Sequence, residues 1–163
     1  MSEARSRRWR PILVAALAAI VVAATGTTLT DLGPWYQSLR EPAWKPPDAA
    51  FGAIWTTIFA LAAISGVLAW RNAKTLSGRQ WIVGLFAVNG FLNVVWSLIF
   101  FKLQRPDLAL AEVGLLWISI LALIVALFRK SVWASVLLLP YLAWVSTAAL
   151  LNYDVVVLNG PFQ

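Results

Sequence analysis

The chain has 163 residues, a formal net charge of +6, 61% hydrophobic residues and only 12% charged ones. A soluble domain carries about 25% charged residues, so this chain has too little polar surface to cover a water-facing globule. It contains no cysteine and no histidine, which excludes disulfides, thiol nucleophiles, Cys/His zinc sites, histidine triads and His or Cys axial ligation of haem iron.

The positive charge does not point to nucleic acid, which needs a basic face on a folded module. Here the basic residues sit in short clusters between apolar runs, the distribution of a membrane protein. About 20 apolar residues make a helix that spans the hydrocarbon core. Five segments meet that requirement, so the sequence predicts an all-α integral membrane protein, a five-transmembrane-helix bundle embedded in a lipid bilayer.

The first span, about residues 12–30, follows a basic extension (residues 1–11) bearing Arg5, Arg7, Arg8 and Arg10. Arginines before "ILVAALAAIVVAATG" also have the form of a signal peptide. Ala15, Ala19 and Ala23, however, recur at helical spacing as a small-residue ridge, which suits close packing and favours a retained helix. The connection 31–47 is the longest. Pro42, Pro46 and Pro47 bar a continuous helix through it and predict an extended or polyproline-like path. Asp48 is placed to cap the second span, about 48–70.

Within that span Phe51, Trp55 and Phe59 are four apart and share one face. The third span, about 81–101, carries Asn89, Asn93, Trp96 and Phe100. The fourth covers about 108–128. The fifth, about 132–153, presents Tyr141, Trp144, Ala148 and Asn152 on one side, and Pro140 interrupts it, freeing the carbonyl of Val136. The links 71–80, 102–107 and 129–131 are short and make the helices antiparallel neighbours. One membrane domain over 12–159, with a tail at 160–163, is expected.

With the N-terminus cytoplasmic, that side holds Arg5, Arg7, Arg8, Arg10, Arg71, Lys74, Arg79, Arg129 and Lys130. The other side holds Arg40, Lys45, Lys102 and Arg105, a positive-inside bias. Trp9, Trp35, Trp70, Trp81 and Trp133, near span ends, are assigned to interfacial belts. Asparagine amides would be unpaired in lipid, so the three polar–aromatic faces should turn inward. They then serve either as packing or as the wall of a pocket for a flat apolar ligand. Glu112, inside an apolar run, is either a functional acid or a solvated rim residue. No acid–base pair and no metal cluster is visible in the sequence.

Three segments together resemble one family. "EPAWKPPDAAFGAIW" (41–55) is similar to the W-x-P-P signature of the TspO/translocator protein family, also called tryptophan-rich sensory proteins and peripheral-type benzodiazepine receptor-like. "NGFLNVVWSLIFF" (89–101) and "LLPYLAWVSTAALLN" (138–152) resemble its third- and fifth-helix motifs, in order. The resemblance covers about residues 12–159. It implies a homodimeric membrane receptor or carrier for porphyrins such as protoporphyrin IX or haem. Sterol-like or synthetic ligands are implied for some members, and no further cofactor. Ligand contacts are implied at Trp44, Pro46, Phe51, Trp55, Phe59, Asn93, Trp96, Trp144 and Ala148, beneath the first loop.

The resemblance also carries an enzymatic alternative, light-dependent porphyrin breakdown involving Trp55 and Trp144. A small exporter relying on Glu112 is a further one. The basic bias and the short extension fit a bacterial inner membrane, with the arginines as a cytoplasmic electrostatic anchor. Two departures stand out. Val157 occupies a position where relatives often carry arginine, with no Lys or Arg after Tyr153, and Ile58 replaces a common aromatic ring. The first weakens the case for sterol recognition.

Overall fold

A computed structural model describes the backbone of residues 2–162 and the side chains of residues 9–162. Arg5, Arg7 and Arg8 of the basic extension fall outside the described side chains. The elements in chain order are α1 (Ser2–Leu29), α2 (Pro34–Ser38), α3 (Asp48–Asn72), α4 (Leu76–Ser97), a π-helical turn continuing α4 (Leu98–Lys102), α5 (Pro106–Phe128), α6 (Val132–Val136) and α7 (Leu139–Asn159). Five stretches are long and apolar enough to cross a membrane: Trp9–Leu29, Asp48–Asn72, Leu76–Lys102, Pro106–Phe128 and Val132–Asn159. The expected all-α five-helix membrane bundle is the observed fold.

α5 is the hub, packed on α4, α6 and α7. Its buried residues Ala109, Glu112, Val113, Leu116, Ile120, Leu123 and Leu127 recur every three or four positions, one continuous stripe of a helix. α1 lies outside, against α3 and α4. Ala15, Ala19 and Ala23 turn toward the bundle, while Leu13, Val14, Leu17, Ile20 and Val21 are exposed. The ridge permits close approach: a Cβ on Gly90 of α4 would lie 3.0 Å from Val22 Cγ2.

Antiparallel threading leaves two unlike ends. The basic end gathers the α3–α4 and α5–α6 turns, with Lys130 beside Gly78. The loop end gathers the long connection and the termini of α4, α5 and α7, with Asp31 paired to Lys102. At the basic end the link is shorter than the sequence predicts. α3 continues through Arg71 and Asn72, and α4 starts at Leu76, leaving residues 73–75 between them. Polar residues do not end a helix by themselves. Here α3 ends at its C-cap Ala73, and Thr75 starts α4 as N-cap, accepting the Gly78 N–H at 3.0 Å. The Arg79 guanidinium lies over the Trp70 ring at 5.4 Å, so Trp70 is partly covered. Trp9, Trp81 and Trp133 are exposed near helix ends, as interfacial belts require.

Pro140 breaks the fifth span instead of kinking it. α6 ends at Val136, Leu137 and Leu138 form a turn, and α7 restarts with Pro140 in its first turn. There its missing N–H would have had no intrahelical partner anyway. α6 is fixed by two buried serines. Ser65 Oγ donates to the Ala134 carbonyl at 2.6 Å, and Ser135 Oγ to the Ile124 carbonyl at 2.7 Å.

The π-helical turn is absent from the sequence expectation. It closes with Leu103 N–H on the Leu98 carbonyl at 3.0 Å and Arg105 N–H on the Ile99 carbonyl at 3.1 Å. Gln104, at φ 53°, takes the left-handed conformation that ends the helix.

Candidate functional site between α3, α4 and α7

The three polar–aromatic faces meet. On α3, Trp55 stacks on Phe59 (centroids 5.4 Å apart, 25° between planes) and meets the Tyr141 ring of α7 edge-on at 6.1 Å. Phe51 meets Trp144 edge-on at 5.4 Å. α4 joins through Asn93, buried, whose Nδ2 donates to the Tyr141 hydroxyl at 3.2 Å. Phe51, Trp55, Phe59, Asn93 and Trp144 are thus brought into one seam, with Tyr141 at its centre. Ala148, one turn along α7 from Trp144, is half-buried.

Trp96 is differently employed. Its indole N–H goes to Asn152 Oδ1 at 3.1 Å, and Asn152 Nδ2 donates to the Pro106 carbonyl at 2.8 Å. Its ring stacks on Phe100 at 5.0 Å. Phe100 in turn takes Trp35 edge-on at 6.0 Å and lies 4.9 Å from Phe101. Trp35, carried on α2, is partly covered by this second cluster, in contrast to the exposed Trp9, Trp81 and Trp133. Trp117 belongs to neither cluster. Its N–H donates to Ser146 Oγ at 2.9 Å, joining α5 to α7. Sequence reading passed over it because no polar residue shares its face in α5.

Trp144 differs from Trp96 and Trp117 in one respect. Its Nε1 is buried and has no hydrogen-bond partner among the described residues. A buried donor left unpaired costs about 1–3 kcal/mol, and this one belongs to the ring that meets Phe51.

The long connection closes over the loop end. It is not wholly extended, because Pro34 starts the short helix α2 before the later prolines. Trp44, about half exposed, donates its Nε1–H to Asp154 of α7 at 2.9 Å. Asn159 grips the Arg40 backbone twice, accepting its N–H at 2.7 Å and donating to its carbonyl at 2.9 Å. Pro46, half-buried, sits beside a third tether. Lys45 Nζ bonds Glu41 and Asp48, each at 2.6 Å, and lies 5.0 Å from the Tyr36 ring centroid. The Tyr36 hydroxyl donates to Asp48 at 3.1 Å.

Asp48 therefore does not cap α3 as the sequence predicts. Pro47 holds the N-cap position, and the carboxylate, in the first turn, is committed to Lys45 and Tyr36. Proximity to a cation outcompetes backbone amides. Burial pushes the Tyr36 phenol up to about 12 against the opposing influence of Lys45. Burial opposes charge on Lys45, but the hydrogen bonds to Asp48, Glu41 and Tyr36 outweigh it and raise its pKa. The stabilisation from a raised lysine is present below its unfolded value and lost as pH rises through the folded one, so this tether persists at neutral pH.

Glu112 is not on a solvated rim. It is 7% exposed, and neither carboxylate oxygen has a hydrogen-bond partner among the described residues. Glu112→Leu is expected to raise stability by about 1–3 kcal/mol, since it removes an unsatisfied buried group while keeping most of the volume. Denaturant titration in detergent reads this, and a destabilised variant would show that the acid is satisfied in the folded protein.

These features define a class: a small polytopic membrane protein with a ring-lined interhelical seam and a loop strapped across one end. The model of the TspO/MBR family matches residues 12–158. The chain is 40% identical over 147 residues to the tryptophan-rich protein TspO of Chlorobaculum tepidum, covering 86% of this chain and 90% of that one. It is 33% identical over 143 residues to the tryptophan-rich sensory protein of Cereibacter sphaeroides, covering 88% of each. It is 32% identical over 122 residues to the human translocator protein, covering 74% and 72%. The chain belongs to the TspO/MBR family.

Proposed function

We propose that this protein is a receptor or carrier that binds a porphyrin, protoporphyrin IX or haem, in the seam between α3, α4 and α7, beneath the strapped loop, with a role in tetrapyrrole regulation or stress signalling. The observation that carries this reading is the Trp144 indole N–H, buried and without a hydrogen-bond partner among the described residues, on a ring that meets Phe51 edge-on. Rings offer a flat macrocycle stacking and apolar contact, and a free donor offers its carboxylates a hydrogen bond. Trp44, Pro46, Phe59, Asn93, Trp96 and Ala148 complete the proposed contact set, Trp96 by its ring face alone.

The protein acts as a homodimer in a bacterial inner membrane with its N-terminus cytoplasmic. Orientation is supported by the basic end, which gathers Arg10, Arg71, Lys74, Arg79, Arg129 and Lys130. In nanodiscs, protoporphyrin IX is expected to quench tryptophan fluorescence saturably. Linear, unsaturable quenching would sink the reading.

The edge contact of Trp55 with Tyr141 favours a second reading, light-dependent oxidative porphyrin breakdown involving Trp55 and Trp144. In it the photoexcited porphyrin takes an electron from Trp55, and dissolved dioxygen is the oxidant that cleaves the macrocycle. Illumination should then yield a new absorbing product in the wild type and little in Trp55→Phe. Equal bleaching of both would remove this reading.

A further inference from the structure

A cavity of about 160 Å³ opens at the loop end, lined by Asp31, Gly33, Pro34, Trp35, Tyr36, Phe101 and Gln104. It lies apart from the seam and does not depend on the function proposed for it. Its volume is well under the roughly 300–1,000 Å³ of pockets for drug-sized ligands, so it suits a small group and not a macrocycle. It is built where α1 ends and where the π-helical turn ends in the left-handed Gln104. That is the level at which a spanning helix leaves the hydrocarbon and meets lipid headgroups.

Its chemistry is two-signed. Trp35, Tyr36 and Phe101 supply rings, and rings attract organic cations through their faces. Tyr36 already does so with Lys45. Asp31 supplies the negative charge; its Oδ1 accepts the Gly33 N–H at 2.9 Å, which holds the carboxylate at the cavity wall. The cation beside it is Lys102, whose Nζ is 3.6 Å from Asp31 Oδ2, with both side chains roughly half exposed. Such a pair is held weakly. The neighbouring cations are more firmly engaged: Lys45 by Glu41 and Asp48, Arg105 by both oxygens of Asp107.

We propose that this cavity binds the headgroup of a zwitterionic phospholipid. The lipid ammonium lies between the Asp31 carboxylate and the rings, and the lipid phosphate takes the Lys102 ammonium. The loose Asp31–Lys102 pair is replaced by two pairs of the same signs. An anionic lipid lacks the ammonium and would set its phosphate near Asp31.

The test is native mass spectrometry of the full chain released from detergent, titrated with phosphatidylethanolamine or with phosphatidylglycerol of the same acyl chains. Phosphatidylethanolamine is expected to be retained about fivefold better, the scale of one partly exposed ion pair. Asp31→Asn keeps the bond to Gly33 and should abolish the preference. Lys102→Gln should lower retention of both lipids. No preference in the wild type, or an unchanged preference in Asp31→Asn, overturns the proposal. Soluble glycerophosphoethanolamine, lacking acyl chains, should not displace the lipid. Displacement at equal concentration would make the ligand a free phosphoamine and overturn the lipid assignment.

Discussion

Asn152→Leu is expected to lower the stability of the bundle by roughly 2–3 kcal/mol, the largest single effect on folding anticipated here. Asn152 is 2% exposed, accepts the Trp96 indole N–H and donates to the Pro106 carbonyl. Interhelical hydrogen bonds in membrane proteins average only about 0.6 kcal/mol, and two of them would account for half of that loss. The larger figure applies because leucine would leave the indole donor orphaned inside the protein, at about 1–3 kcal/mol before relaxation, whereas the Pro106 carbonyl, in the first turn of α5, remains an intrahelical acceptor. Denaturant titration in detergent measures it. Asn159→Leu, which releases the loop strap at Arg40 and a bond to the Val155 carbonyl one turn back, serves as the comparison and should lose less. A loss for Asn152→Leu no greater than for Asn159→Leu would contradict the account.

Trp144→Phe is expected to weaken protoporphyrin IX binding about tenfold, corresponding to about 1.4 kcal/mol. The phenyl ring retains an aromatic face toward Phe51 but removes the pyrrole part of the indole with its N–H, which has no partner among the described residues. A hydrogen bond to a charged group contributes about 1.5–3 kcal/mol, so a smaller change would place the propionates elsewhere. Trp96→Phe separates a ligand contact from a scaffold contact. Its N–H is already held by Asn152, so stability should fall while affinity changes by less than about threefold, under 1 kcal/mol. The two variants should therefore fail in opposite assays.

The inward faces were legible in the sequence because a single constraint fixed them. Asn93 and Asn152 could not point at lipid, and helical spacing then carried Trp96 and Trp144 inward with them. Trp117 had no such companion in α5, and its partner Ser146 lies on another helix, so nothing local announced it. Asp48 shows the converse failure. Its position in the first turn was readable, but the nearness of Lys45 and Tyr36 depends on how the loop folds back. The break at Pro140 was visible as a proline, yet whether a proline bends a helix or begins one depends on what holds the segment before it. The serine bonds to Ala134 and Ile124 come from tertiary packing. The π-helical turn has no sequence signature of the kind that marks caps or spans.

The turn at Leu137–Leu138 divides the fifth span into two differently anchored pieces. α6, on one side of it, is bolted to α3 and α5 through Ser65 and Ser135. α7, on the other, carries Tyr141 and Trp144 of the seam as well as Asp154 and Asn159 of the strap. Wall and strap are thus carried by one helix, itself tied to α4 and α5 through Asn152 and Ser146, so a substitution that shifts α7 disturbs the loop and the seam together.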